Sequence, residues 1–316
     1  MSSPLVSIII PTRNRAKLLE KSIRSCLNQT YKNIEIIVVD DYSSDDTPKV
    51  VKQLSAESLQ VAYVRNETHK GLPASRNIGL AYSRGELLFF SEDDLILSPT
   101  AIEILVKTFT TLSRKLKIGA VAPRLKLVSS ARSYPPLQEL KLLTGMFNQI
   151  TGEPFAHYDV PARGILLTQH PPATSMIPRN VFKEIGGYYT GYKYNYVRED
   201  SDIYFRMFKK GYLLVYQPKA VAYHLAGFRG GCTIESFLFS YLSELHNQLL
   251  FLARMYSVKA IPTSIAFLIK KVIKIKYWNN PRKLAEWVTL IEKAGIRDAY
   301  WKALNHYLSV LKANYC

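Results

Sequence analysis

The sequence predicts an α/β fold in which a mostly parallel sheet carries helices on both faces, followed by a helical C-terminal region. Over the first 94 residues, four short apolar runs alternate with segments of helical periodicity. Strands that are joined by helices pair in parallel, and the helices then cover both faces of the sheet. Beyond residue 232 the apolar residues have helical spacing throughout, with 12 Lys and Arg against 5 Asp and Glu.

The predicted strands are short runs rich in Ile, Val, Leu and Phe. We expect strands over 5–11, 34–39, 61–65, 86–90 and, later in the chain, 220–224. Acidic clusters at 40–41 and 92–94 directly follow the second and fourth strands. Because ligands bind beyond the carboxyl ends of parallel strands, we expect both clusters to line a ligand site.

The predicted helices carry apolar residues at the spacing of one helix face. We expect helices over 15–28 and 72–84, one that begins within 44–48, one around 203–207 and a long one over 237–256. Ser44 is the expected N-cap of the second helix, and Pro48 suits its first turn.

Composition and charge restrict the function classes. The chain has 316 residues and a formal net charge of +17, which favours anionic partners such as nucleotides, nucleic acid or an acidic membrane surface. Its three cysteines are far apart, which excludes a disulfide scaffold and suits a reducing cytosol. We find neither a signal-peptide pattern nor 18 consecutive apolar residues, and therefore expect a cytoplasmic protein without a spanning helix.

Two common phosphate-binding motifs are missing from the sequence. It contains no Gly-Lys dipeptide, which excludes a P-loop, and no Gly-x-Gly, which excludes the dinucleotide fingerprint. A different set of ordered segments resembles family 2 glycosyltransferases, which have the GT-A fold, a Rossmann-like sheet. These segments are VSIIIPTRNR (6–15), IIVVDDYSSD (36–45), GLPASRNIG (71–79), FFSEDD (89–94), GGY (186–188) and REDSD (198–202).

The resemblance covers residues 5–225 and implies an enzyme that moves a sugar from a nucleotide-sugar donor to an acceptor hydroxyl. It implies a catalytic domain over 1–232, with a donor half over 1–125 and an acceptor half over 126–232. Residues 233–316 then form a separate basic helical region.

The acidic cluster at 92–94 takes the place of the family's DXD motif, which binds Mn²⁺ or Mg²⁺ through the donor phosphates. A hard divalent cation prefers oxygen ligands and stabilises the charge of the leaving nucleoside diphosphate. The first acidic position is a glutamate here, or Ser91 if the motif is aligned one residue earlier, so Asp94 is the expected first ligand, with Glu92 and Asp93 beside it. His224, after the 220–224 strand, either completes this site or is structural. A solvated acidic loop is the alternative for the cluster.

The resemblance also assigns the donor-binding and catalytic residues. The donor-binding residues are Pro11, Thr12, Arg13, Asp40, Arg76 and Asp93. Without the neighbouring motif, Arg76 would be an ordinary surface arginine. The family's general base lies in the Glu-Asp pair, so we expect Asp200 as the base and Glu199 as its substitute. Stabilisation of a helix N-terminus is the alternative for these acids, and we expect that role for Asp202.

The basic tail carries an apolar stripe with lysines among it. The stripe is Ile261, Ile265, Leu268, Val272 and Ile275, and the lysines are Lys270, Lys271, Lys274 and Lys276. Such a helix either lies on an anionic membrane or packs as a cap. We expect a peripheral protein at the cytosolic membrane face with a sugar or lipid-linked acceptor. The alternatives are a catalytically idle adaptor and a nucleic-acid-binding protein, although no recognition motif supports the latter.

Overall fold

A computed structural model describes residues 3–128, 145–147, 152–155, 158–225, 237–256, 260–261, 263–265 and 267–268. Within these residues the strands are β1 Val6–Thr12, β2 Ile34–Asp40, β3 Val61–Arg65, β4 Leu87–Phe90, β5 Leu95–Leu97, β6 Ile118–Leu127, β7 Met146–Phe147, β8 Pro154–Phe155, β9 Leu166–Thr168, β10 Ser175–Pro178 and β11 Leu213–His224. The helices are α1 Ala16–Leu27, α2 Thr47–Glu57, α3 Leu72–Tyr82, α4 Ala101–Leu112, α5 Arg179–Ile185, α6 Glu199–Lys209 and α7 Phe237–Met255.

The main sheet has nine strands and is parallel in its N-terminal half. Its order is β3-β2-β1-β4-β10-β6-β11-β5, and β9 pairs with β11. Strands β3, β2, β1 and β4 are parallel, whereas β10 runs antiparallel to both β4 and β6. Strand β11 is parallel to β6 but antiparallel to β5 and β9. The sheet is therefore mixed, with the predicted parallel unit at one side.

Helices cover both faces of this sheet, as the sequence predicts. Successive residues of a strand point to opposite faces, so Ile8 and Ile9 belong to two different hydrophobic clusters. The cluster around Ile8 includes side chains of α1, α2 and α4. The cluster around Ile9 includes side chains of α5 and α6, with α3 packed against it.

A glycine allows α3 to lie close to β1. A Cβ atom on Gly79 would lie 2.4 Å from Cγ2 of Ile9, closer than side-chain atoms approach one another. The absence of a side chain at this position therefore sets the packing distance between α3 and the sheet. The N-terminal end of α3 lies beside the carboxyl end of β2, where Gly71 N–H donates to Asp41 Oδ2 at 2.8 Å.

The start of α2 differs from the sequence-based expectation. The Ser44 side chain does not cap the helix; its hydroxyl lies 3.4 Å from Oδ1 of Asn14. Instead, Asp45 accepts hydrogen bonds from the backbone N–H of Thr47 and of Ala16, both at 3.0 Å. The Asp45 carboxylate therefore accepts hydrogen bonds from the first turns of both α1 and α2. A local capping pattern does not reveal this shared contact.

The chain divides into two compact units, of which the second comprises 147–153, 192–198 and 234–316. Within its described part, the Asn247 amide on α7 accepts a hydrogen bond from Lys193 N at 3.0 Å and donates to Lys193 O at 2.9 Å. Phe251 stacks on Phe147 with ring centroids 5.8 Å apart. None of the described helices is both long and apolar enough to cross a bilayer. The tail lysines, Val272 and Ile275 lie outside the described residues.

Candidate active site

The acidic cluster lies on the short connection between β4 and β5, beyond the carboxyl end of β4. Its backbone is fixed by two elements, because Ser91 N–H donates to Ile9 O at 2.9 Å and the Ser22 hydroxyl of α1 donates to Glu92 O at 3.0 Å. The neighbouring parallel strands end at the same edge. The cluster thus lies where the sequence predicts it, beyond the carboxyl end of the fourth strand.

His224 reaches this cluster through strand register. Strands β11 and β5 are antiparallel with His224 opposite Leu95, and Leu225 N–H donates to Asp94 O at 2.9 Å. The His224 Nε2 atom lies 3.3 Å from Asp94 Oδ1 and 3.8 Å from Glu92 Oε2. Of the two alternatives for this histidine, the geometry favours the one in which it belongs to the acidic site.

Glu92, Asp94 and His224 offer donor atoms that suit a divalent cation. One ligand atom from each of the three lies within 4.8 Å of the others. Two carboxylates and an imidazole match Mn²⁺, and with less preference Mg²⁺. Burial raises the pKa of Asp94, but the hydrogen bond and charge of His224 outweigh it, so the pKa lies below its ordinary value. Asp94 is therefore a carboxylate at neutral pH, as a metal ligand must be.

Asp93 is not one of these three side chains and contacts Thr12 and Arg15 instead. Its Oδ2 accepts from the Thr12 hydroxyl at 2.8 Å, and its Oδ1 lies 3.0 Å from Arg15 Nη1. The same Arg15 nitrogen lies 2.8 Å from Asp94 Oδ2. Burial raises the pKa of Asp93 to about 6 against the charge of Arg15. Thr12 and Asp93 thus bind one another, and Arg15 is a site residue that the sequence analysis did not single out.

Arg76 is a buried arginine that contacts both the acidic cluster and the start of α6. Its side chain is 1 % exposed and forms an ion pair with Glu199 through Nη1. Its Nη2 lies 3.6 Å from Glu92 Oε1, and its guanidinium lies over the ring of Tyr188. Arg76 therefore joins the acidic cluster to the start of α6, and its expected contact with the donor stays a prediction.

Glu199 and Asp200 begin α6 and differ in their surroundings. Burial raises the pKa of Glu199 to about 8 despite the charge of Arg76. The Asp200 side chain is 22 % exposed, and its Oδ1 accepts from Ser201 N–H at 2.7 Å. Asp202 is fully buried and pairs with Arg206 at 2.6 Å, which agrees with its expected structural role. Of the two candidate bases, Asp200 is the accessible one, whereas Glu199 is buried and paired with Arg76.

The carboxyl end of β2 provides a second part of the site. Asp40 is fully buried, with Oδ1 accepting from Ser43 N–H at 2.8 Å and Oδ2 from the Tyr63 hydroxyl at 2.7 Å. Pro11 is buried nearby at the end of β1. Arg13 follows it and has a buried Nε without a hydrogen-bond partner among the described residues. Such a nitrogen is suited to an anionic ligand.

Comparison with known proteins shows what the N-terminal part of the chain is similar to. Residues 7–149 match the model of the family "Glycosyl transferase family 2". This part of the chain is therefore similar to family 2 glycosyltransferases. Over 117 residues it is 43 % identical to the GalNAc(5)-diNAcBac-PP-undecaprenol beta-1,3-glucosyltransferase of Campylobacter jejuni, a match that covers 37 % of this chain and 36 % of that enzyme. EpsE of Bacillus subtilis is 28 % identical over 217 residues, which are 67 % of this chain and 69 % of its own.

The crystal structure of GalNAc-T7 with UDP, GalNAc and Mn²⁺ confirms the GT-A fold. It superimposes with a TM-score of 0.61 at 17 % sequence identity, over 79 % of this chain and 47 % of that chain. The family 2 match ends at residue 149, before α6 and β11. Asp200 and His224 therefore lie beyond it, and it is the fold that brings them to the site.

Proposed function

We propose that the protein transfers a sugar from a nucleotide-sugar donor to an acceptor hydroxyl with inversion, using a divalent cation at Glu92, Asp94 and His224. The observation that carries this proposal is the convergence of these three side chains from two distant parts of the chain. The carboxylate of Asp200 is close enough for its charge to raise the pKa of Glu92. The cation, when bound, would neutralise the charge that develops on the leaving nucleoside diphosphate.

Other residues of the chain would bind the donor or activate the acceptor. Pro11 and Asp40 border the position for the nucleoside, and the unpartnered Nε of Arg13 is available to a phosphate or ribose oxygen. Arg15 and Thr12 hold Asp93, and Arg15 also holds Asp94. Asp200 would accept the proton of the acceptor hydroxyl as its oxygen attacks the sugar from the face opposite the nucleotide.

Several findings support the finer choices in this proposal. The crystal structure of GalNAc-T7, which shares the fold, contains UDP and Mn²⁺, and this supports Mn²⁺ for the present site. The name of the Campylobacter relative includes a PP-undecaprenol-linked glycan, which supports a lipid-linked acceptor. A lipid-linked acceptor would also place the protein at the cytosolic face of a membrane. The idle-adaptor alternative gives no role to an accessible Asp200 beside the metal ligands.

A thermal-shift experiment with UDP, GDP, CDP and dTDP, each with and without Mn²⁺, tests the donor site. We expect one nucleotide to stabilise the protein only when Mn²⁺ is present, by about 2.7 kcal/mol at 100 times its dissociation constant. Asp94→Asn should abolish this stabilisation without changing the melting temperature of the free protein by more than a few degrees.

Asp46→Asn is the matched control, because it makes the same chemical change at an exposed carboxylate. It should keep the Mn²⁺-dependent stabilisation. Nucleotide binding that survives both chelation and Asp94→Asn would contradict the proposed cation site.

A further inference from the structure

His170 is a buried histidine whose position is fixed by the backbone around it. It lies between β9 and β10 and is 3 % exposed. Its N–H donates to Gly145 O at 2.7 Å and to the Thr168 hydroxyl at 3.2 Å. A Cβ on Gly145 would lie 2.1 Å from Thr168 Oγ1 and 2.2 Å from His170 O, and Gly145 has a φ of +70°. The close approach of this glycine therefore holds the histidine backbone in one place.

Both ring nitrogens of His170 have polar neighbours. Nδ1 lies 2.6 Å from the Tyr158 hydroxyl, and Nε2 lies 2.8 Å from the Ser201 hydroxyl. Nε2 also lies 3.8 Å from Oδ2 of Asp200. The ring of Tyr204 meets the imidazole edge-on, with centroids 5.7 Å apart. The ring is thus fixed in position and in rotation, and one of its nitrogens faces the start of α6.

The Asp200 carboxylate is held from its buried side. Oδ1 accepts from Ser201 N–H, and the Ser201 hydroxyl, which contacts His170, lies 3.4 Å from the same oxygen. Oδ2 is the oxygen nearest to the imidazole. When the Tyr158 hydroxyl donates to Nδ1, the ring proton is on Nε2 and faces Ser201 and Asp200. A hydrogen-bonded row then runs from Tyr158 through His170 to the accessible carboxylate.

We propose that His170 is a positioning residue for the general base: together with Tyr158 and Ser201 it fixes the rotation of the Asp200 carboxylate toward the acceptor hydroxyl. This inference rests on the proposed function, in which Asp200 takes the acceptor proton. His170 does not touch the sugar, and its effect passes through Asp200 alone. Misplacing a reacting group by about 1 Å can cost about 100-fold in rate, so a fixed carboxylate matters for turnover.

Donor hydrolysis provides an assay that needs no acceptor to be identified. Water replaces the acceptor: its oxygen forms the bond to the sugar, the bond to the nucleoside diphosphate breaks, and Asp200 receives the water proton. The probes are UDP-, GDP- and dTDP-sugars with Mn²⁺, and released nucleoside diphosphate is measured. We expect His170→Phe, which keeps a ring of similar size, to lower kcat about 10–100-fold with the donor KM within about twofold.

Two conservative variants extend the test. His170→Gln keeps an amide that can contact Ser201 and should recover part of the lost kcat. Tyr158→Phe removes only the hydroxyl at Nδ1 and should lower kcat less than His170→Phe does. Tyr82→Phe, the same change on an exposed tyrosine, is the control and should leave kcat unchanged.

A double-variant cycle decides whether His170 acts through Asp200. Asp200→Asn alone should lower kcat by about 10²–10⁴. In the Asp200→Asn background, His170→Phe should change kcat by less than about twofold, because the group that it positions is gone, whereas independent effects would multiply. If His170→Phe does not fold, as judged by nucleotide-dependent thermal shift, Tyr158→Phe takes its place in the cycle.

The outcomes separate this inference from the proposed function. An Asp200→Asn variant with the wild-type kcat would overturn the base itself. If Asp200→Asn is impaired but His170→Phe keeps the wild-type kcat, or their effects multiply, the base stands and the positioning role of His170 is wrong.

Discussion

At the residue scale, Asp41 accepts four hydrogen bonds that tie the end of β2 to the loop before α3. Oδ1 accepts from Lys70 N–H at 2.7 Å and Asn66 Nδ2 at 2.8 Å, and Oδ2 lies 2.8 Å from Gly71 N and 2.7 Å from His69 Nδ1. Burial raises the pKa of Asp41, but these bonds outweigh it and lower the pKa below its ordinary value. The ionised form therefore stabilises the fold.

We predict that Asp41→Asn lowers the free energy of unfolding by about 1–3 kcal/mol at pH 7, because an amide nitrogen cannot accept these hydrogen bonds. Since the folded-state pKa is lowered, the contribution is complete above the unfolded-state pKa of about 3.9 and is lost as the pH falls through the folded-state pKa. Urea unfolding at several pH values measures this. The gap between wild type and variant should be constant from about pH 7 to 5 and shrink below about pH 4.

Glu67→Gln serves as the control for this prediction, because Glu67 is an exposed carboxylate in the same loop. It should leave stability nearly unchanged. A gap between wild type and Asp41→Asn that does not vary with pH would mean that the carboxylate charge is not the stabilising feature.

The motifs in the sequence located the acidic cluster, but they did not reveal how its members are partnered. Arg76 lies in a segment typical of a donor site, and its burial against Glu199 depends on α6, which follows 123 residues later in the chain. Arg15 is one of two arginines between β1 and α1, and only the fold brings it to Asp93. No acidic residue lies close to His170 in the sequence at a spacing that would indicate a functional histidine. Partners distant in sequence leave no local pattern.

At the scale of elements, the close contact of α3 with β1 predicts how a substitution at Gly79 changes the free energy of unfolding. Gly79→Val should lower the free energy of unfolding by about 1–3 kcal/mol, because its side chain would overlap Cγ2 of Ile9. Ile9→Ala removes that atom, so the double variant should be more stable than the sum of the two single changes predicts. Urea unfolding of the four proteins measures the coupling.

Gly164→Val is the control, since no atom lies within 4 Å of a Cβ placed there. It should cost little. Strictly additive effects of Gly79→Val and Ile9→Ala would show that α3 moves away from the strand instead of clashing with it.

The two halves of the sheet were not equally predictable. In the first half, β1, β2 and β3 are each followed by a helix, and β2 pairs with its sequence neighbours β1 and β3, so apolar periodicity is sufficient there. In the second half, β10 is inserted between β4 and β6, and β11 pairs with three strands in two directions. The predicted strand over 220–224 is only the end of the longer β11. Such an order depends on contacts between distant segments.

At the scale of the whole molecule, the net charge of +17 and the basic tail predict binding to anionic membranes. Each lysine near such a surface contributes about 1 kcal/mol, and Lys270, Lys271, Lys274 and Lys276 lie within seven positions. In a co-sedimentation assay we expect the protein to bind anionic vesicles and to be released as salt rises. Replacing the four lysines by glutamate should weaken binding further while nucleotide binding stays.

Neutral vesicles provide the control for this assay and should retain little protein. If the wild type ignores anionic vesicles, or if the glutamate variant does not fold, the apolar stripe of the tail is packed within the protein and the membrane proposal fails.

The insertion of β10 beside β4 also has a consequence for the order in which the chain is made. Strand β4 ends at Phe90, and its second neighbour begins at Ser175, so synthesis at about 5–20 residues per second separates them by about 4–17 s. During this interval the ribosome-bound chain presents an apolar strand with one open edge, a template for pairing with other chains. Glu92, Asp93 and Asp94 follow that strand directly. Like charges that flank an apolar strand disfavour such pairing, so this acidic cluster has a consequence for the nascent chain as well as for ligand binding.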